Sequence, residues 1–124
     1  MRKLIVVLFL VPAVINLLPL SGVFGAERLQ ALYGMSFAGA DLLLLMRHRA
    51  VVIGAVGLLL LAAAFRPALR PAASVVGLLS MGSYLLLALP LGEHNAALQR
   101  VFWADIIALL SLLFAVWLSR KHAT

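Results

Sequence analysis

Asp105 stands inside a long apolar stretch, where an acid is costly unless it is paired or protonated. Its position therefore points to an ion pair, a proton or cation site, or a hydrated notch in the membrane surface. The partners expected at similar depth are Arg47 and Arg49 of the run Arg47-His48-Arg49, with Tyr84 and Asn16 somewhat deeper. An Arg47 to Asp105 pair that fixes helix register is the first reading, and a substrate, ion or proton site is the second. Asp41 precedes a leucine run, so it reads as a helix N-cap before it reads as a functional acid. His48, Glu93 and His94 offer imidazole and carboxylate, the donors a divalent metal takes, but their spacing matches no standard ligand set. The expectation is that the chain holds no metal and no cofactor. Nucleophile elbows, phosphate loops and dinucleotide fingerprints have no counterpart here.

These residues must be positioned by elements that suit lipid. The chain has 124 residues, one domain at most, with 65% apolar and only 11% charged residues. Apolar stretches at 4–25, 48–65, 72–92 and 101–118 approach or exceed the roughly 17 to 25 residues that cross a hydrocarbon core. Backbone polar groups find no partner in lipid, so each stretch must be a helix. The expected fold is an all-α membrane protein, a four-helix transmembrane bundle. The absence of cysteine removes disulfides and thiolate metal sites. The net charge of +6 is scattered over termini and loops, without the aromatic interleaving or groove of a nucleic-acid-binding surface.

Charge placement predicts topology. With the N-terminus in the cytoplasm and four crossings, Arg2, Lys3, Arg66, Arg70, Arg120 and Lys121 fall on the cytoplasmic side without an acid. Arg28, Arg47, Arg49, Arg100 and every acid of the chain fall outside. The positive-inside rule favours this N-in/C-in arrangement. Arg2-Lys3, the apolar core and the small residues around Gly25-Ala26 also have the order of a secretory signal peptide, an alternative reading of residues 1–25. If the segment stays, Pro12 and Pro19 should kink it, because neither carries an N-H for the helical ladder.

Residues 26–40 read as a short outer-side interfacial helix and a loop. A helix over 42–65, with its membrane part from residue 48, would be roughly 36 Å long. The excess over 42–46 needs cover, and 26–40 folded back as a lid is the natural one. Three helices carry a small-residue stripe for close packing: Ala50, Gly54, Gly57, Leu61; then Ala73, Gly77, Ser80, Tyr84; then Ala104, Ala108, Ser111, Ala115. At about 100° per residue, Arg47 lies about 60° from the first stripe, Arg49 about 100° away on the other flank, and His48 nearly opposite. This geometry selects Arg47 as the inward residue.

Ala31-Leu-Tyr-Gly34 and Leu45-Met-Arg-His-Arg-Ala50 resemble a family of small bacterial four-helix inner-membrane proteins of unknown function. The resemblance implies the same four-helix layout and a multi-pass inner-membrane location. Some proteins of this kind carry the name phosphopantetheine adenylyltransferase, but the nucleotide-binding His motif and α/β pattern of that enzyme are missing from this sequence. In layout the chain is also loosely similar to DoxX-like membrane proteins. The expected role is non-enzymatic, with the outer polar cluster serving bundle stability or contact with a second copy or another membrane protein. A small transporter or channel subunit using Asp105 and Arg47 is the alternative, and a lipid- or quinone-directed enzyme the third. Beyond these, the expected partner is the lipid bilayer and not nucleic acid.

Overall fold

In the computed structural model, residues 2–35, 39–91 and 96–121 are described. Helix α1 (Arg2–Leu17) runs into a 3-10 segment (Leu18–Phe24), and a short α2 (Ala26–Tyr33) follows. Three long helices complete the chain: α3 (Ala40–Phe65), α4 (Arg70–Ala88) and α5 (Ala96–Lys121). Four helical segments, Arg2–Phe24, Ala40–Phe65, Pro67–Ala88 and Ala96–Lys121, are long and apolar enough to cross a membrane, at 23, 26, 22 and 26 residues. By length and composition the chain is a multi-pass membrane protein. Its outward side chains agree: Leu58, Leu79, Leu86, Leu87 and Leu110 are between 56% and 74% exposed, a surface that water would penalise and lipid accepts.

The helices alternate in direction. The N-terminus, the α3–α4 turn and the end of α5 share one end, called here the hairpin end. The other end carries α2, the start of α3 and the start of α5. Small residues set the spacing between helices, as their stripes predict. A Cβ on Gly57 would lie 3.0 Å from the Ala13 carbonyl oxygen and 3.0 Å from the Leu17 nitrogen, so the backbones of α1 and α3 approach closely there. A Cβ on Gly54 would collide with Leu20 at 2.5 Å, and one on Gly77 with Leu112 at 2.8 Å. Phe9, Leu60, Met81 and Leu112 fill the centre, all essentially buried.

The two prolines sit in different local structure. The α-helix passes through Pro12, whose missing N-H would have bonded the Leu8 carbonyl. Ser111 of α5 supplies the replacement, its hydroxyl donating to that carbonyl at 2.8 Å. At Pro19 the chain is in the tighter 3-10 segment that begins at Leu18. Arg66, restricted by the following Pro67, is extended at φ −126° and ψ 97° and ends α3. Arg70 then reaches back, its guanidinium donating to the Ala63 and Ala64 carbonyls at 3.0 Å each. The same group lies 5.4 Å from the centre of the Phe9 ring. Orphan carbonyls at the end of α3 are thereby satisfied, and a positive charge meets the negative end of the helix.

Helix boundaries and one cap differ from expectation: α3 begins at Ala40 rather than at 42, and α4 spans Arg70–Ala88 rather than 72–92. Helix α5 starts at Ala96 rather than at 101, because Gln99 and Arg100 are tolerated in its exposed first turns. Asp41 is not the cap of α3: that position is Gly39, without a side-chain cap, and Asp41 lies exposed in the first turn. There its charge favours the helix N-terminus through the dipole alone.

Candidate functional site

Helix α2 ends where Gly34 adopts the left-handed conformation at φ 69°, its N-H bonded to the Gln30 carbonyl at 2.7 Å. A residue with a Cβ would be strained there. The stop leaves Tyr33 on the last turn, 3% exposed, one turn after Leu29 at 0%. Both pack on Leu43 and Met46 of α3 and on Leu98 and Val101 of α5. The short helix therefore covers part of the early α3 surface, as a lid would, while Leu44 and Leu45 stay 67% and 65% exposed.

Arg49, half-buried on α3, donates a hydrogen bond to the Tyr33 hydroxyl. Its guanidinium carbon lies 5.2 Å from the Tyr33 ring centre and 5.9 Å from that of Tyr84 on α4. Both are within cation–π range. Asp105 lines the same place from α5, together with Arg49, Tyr33 and Tyr84. Among the described residues no ion pair within 4.0 Å joins Asp105 to an arginine. Between them is a small, partly open cavity of about 40 Å³, lined by Asn16, Tyr33, Arg49, Ser80, Tyr84 and Asp105, and bordered by Ile15, Pro19, Ile53 and Val101. Every helix contributes. Asn16 is 4% exposed, and its amide nitrogen donates to the Pro12 carbonyl at 2.7 Å and approaches the Met81 sulfur at 3.5 Å. Asp105 also borders a shallower groove of about 260 Å³ between the 3-10 segment, α2 and the start of α5, where Leu18, Leu32, Ala97 and Arg100 form the walls.

The structure thus brings together Asn16, Arg49, Tyr84 and Asp105 of the expected cluster, and excludes three others. Arg47 is exposed, and its Nε donates to the Val23 carbonyl of the 3-10 segment at 2.9 Å. It does not face Asp105, so the expected Arg47 to Asp105 pair is corrected: Arg49 is the inward arginine. His48 is exposed on the side between them, and Asp41 lies two turns further out. Glu93 and His94 lie outside the described residues, and among the described residues no group of three or more His, Cys, Asp or Glu could hold a metal.

Tyr33 and Ser80 are the additions. Ser80 was legible only as a small-stripe residue. Tyr33 carried a usable signal, because Leu29 and Tyr33 are one turn apart on the apolar side of α2, and a buried tyrosine hydroxyl needs a partner. Its partner joins Ala31-Leu-Tyr-Gly34 to Leu45-Met-Arg-His-Arg-Ala50. No protein-family model matches the sequence, and no curated protein or solved structure matches it.

Proposed function

We propose that the chain is a non-enzymatic protein of the bacterial inner membrane, inserted N-in/C-in. In this reading the polar cluster at its outer side locks α2 onto the bundle and holds that end rigid as a contact face for a membrane partner. The carrying observation is the convergence of all five α-helices on one small cavity around Arg49 and Asp105. At about 40 Å³ the space suits about three waters. Organic ligands occupy pockets of roughly 300–1,000 Å³, so a lipid or quinone substrate has no room between these two charges. Charges buried in membrane helices that face one another across water hold register without a dry ion pair. The resemblance to small four-helix inner-membrane proteins supports the location, and the larger number of Lys and Arg assigned to the hairpin end supports the orientation.

A second reading is favoured by one observation. Asp105 borders both the small cavity and the shallower groove, as a residue that passes protons or cations inward would. Reconstituted full chain separates the two. Asp105→Asn, Arg49→Gln and the double variant are compared for helix content and unfolding midpoint, and for proton and monovalent-cation flux in vesicles. The structural role predicts that each single variant is destabilised, that the double recovers, and that flux stays at the background of empty vesicles. Wild-type flux abolished by Asp105→Asn, with folding intact, would overturn it in favour of transport. Orientation is tested in intact cells with the cysteine-free chain carrying Gln30→Cys or Ala68→Cys. An impermeant thiol reagent should label the first and not the second; the reverse pattern sinks the N-in/C-in reading.

A further inference from the structure

A second groove runs along the 3-10 segment and shares Leu18 with the Asp105 groove. Its volume is about 680 Å³, and Val14, Leu17, Leu18, Leu20, Phe24 and Val51 wall it. Arg28 and Ser21 close its outer end, Arg28 donating to the Ser21 hydroxyl at 3.2 Å. Arg47, displaced from the polar cluster, reaches the same segment at the Val23 carbonyl. Two guanidinium groups from two different helices are therefore held on one segment, Arg28 by the Ser21 side chain and Arg47 by the Val23 main chain. Each has five N-H donors, and each places one in a hydrogen bond among the described residues. The only acid beside them in sequence is Glu27, which makes no ion pair within 4.0 Å with Arg28.

The groove has the dimensions of one leaflet. From Val14 to Phe24 it runs roughly 18 Å, at about 1.5 Å per α-helical and 2.0 Å per 3-10 residue. Half a hydrocarbon core is about 15 Å. Arg28 lines the groove beside its apolar walls, and Arg47, outside the lining itself, is bonded to Val23, which lines it; apolar wall and spare cationic donors together are what the charge and polarity of a phospholipid require. We propose that this groove binds an anionic phospholipid, one acyl chain lying along residues 14–24 and the phosphate held between Arg28 and Arg47. Arginine forks match phosphate oxygens in geometry as well as in charge. The lipid would clamp the 3-10 segment against α3. The inference rests on the α2 end lying at the membrane surface, and not on the role of the Arg49 and Asp105 cluster.

The test uses the full chain in neutral detergent, titrated with phosphatidylglycerol, with phosphatidylcholine and with inorganic phosphate, read by native mass spectrometry and by thermal melting. Wild type should retain phosphatidylglycerol preferentially and melt higher with it, while inorganic phosphate alone does neither. Arg28→Gln and Arg47→Gln should each weaken the preference about fivefold, and the pair should remove it. Val51→Trp, which fills the groove and leaves both arginines in place, should lower retention as well, so the proposal stays open to refutation even if the double variant fails to fold. Equal retention of the two lipids by wild type, or an undiminished preference in Arg28→Gln and Val51→Trp, would overturn the site. Stabilisation by inorganic phosphate to the same degree would replace the lipid by a free anion. The thiol-labelling outcome is read separately, so failure of the lipid site and failure of the topology remain distinguishable.

Discussion

Arg49 and Arg70 are both half-buried arginines laid against aromatic rings, one at each end of the bundle, and their surroundings differ in kind. Arg70 donates only to main chain, to the Ala63 and Ala64 carbonyls that any helix leaves unbonded at its end. Arg49 donates to a side chain, Tyr33, lies against two rings, and faces an acid across a cavity. The first arrangement closes a helix terminus and would be useful in any hairpin. The second spends an acid, two tyrosines and a short helix on one charge. Partial burial and an aromatic neighbour therefore do not mark a site by themselves; the nature of the hydrogen-bond acceptors does.

The sharpest way to break this contrast is to remove each charge with and without the acid. Arg49→Met strands Asp105 and removes the hydrogen bond Arg49 gives to the Tyr33 hydroxyl, at an expected cost of about 3 kcal/mol in the free energy of unfolding in detergent. In an Asp105→Asn background the same substitution should cost only about 1 kcal/mol, since the uncompensated charge is gone. Arg70→Met frees two carbonyls near water at the hairpin end and should cost about 2 kcal/mol. That cost should be the same in both backgrounds. If Asp105→Asn relieves both arginine variants equally, or neither, the two ends are not different in the way described.

Lysine sharpens the comparison at a smaller scale. At position 49 it keeps the counter-charge and one donor, so Arg49→Lys should retain most of the stability lost in Arg49→Met, ending within about 1 kcal/mol of wild type. At position 70 a planar fork spans two carbonyls, which a single ammonium group does not reproduce. Arg70→Lys should therefore recover no more than about half of the loss in Arg70→Met. Thermal melts of the four variants in one detergent check this, and equal recovery at both positions would argue that charge alone matters at the hairpin end too.

Which arginine turned inward was the part least legible beforehand. Hydropathy and length show four long apolar helices, and the stripes through Gly54, Gly57 and Gly77 mark real close contacts, because both signals are properties of one helix at a time. Asp105 stood out for the same reason. The choice between Arg47 and Arg49 depended on what lies across from α3. Angular distance from the small-residue stripe favoured Arg47, but the flank beside Arg47 meets the Val23 carbonyl, and the flank beside Arg49 meets Tyr33 and Tyr84. Tyr33 reaches its place through the Gly34 stop, and the 3-10 turn after Pro19 carries Val23 to its own. Periodicity within α3 contains neither. Likewise Ser111 read as a small packing residue, while its hydroxyl answers a proline on another helix.

The finest division concerns the two tyrosines. Both present a ring to Arg49, but only Tyr33 is hydrogen-bonded to it through the hydroxyl. Tyr33→Phe keeps the ring and removes the acceptor, which should cost about 1 kcal/mol. Tyr84→Phe keeps its ring against the same guanidinium and should cost less than about 0.5 kcal/mol. Stability alone does not tell a loosened α2 from a slightly weaker core, so the second readout is local. In the Gln30→Cys chain, thiol labelling reports α2, and amide hydrogen exchange over residues 26–33 reports its opening. Faster exchange in Tyr33→Phe, with Tyr84→Phe at the wild-type rate, would assign the hold on α2 to one hydroxyl. Equal acceleration in both would mean that the ring faces hold Arg49 and the hydroxyl is incidental, and the end of the bundle that carries α2 would then resemble the Arg70 end more than its acceptors imply.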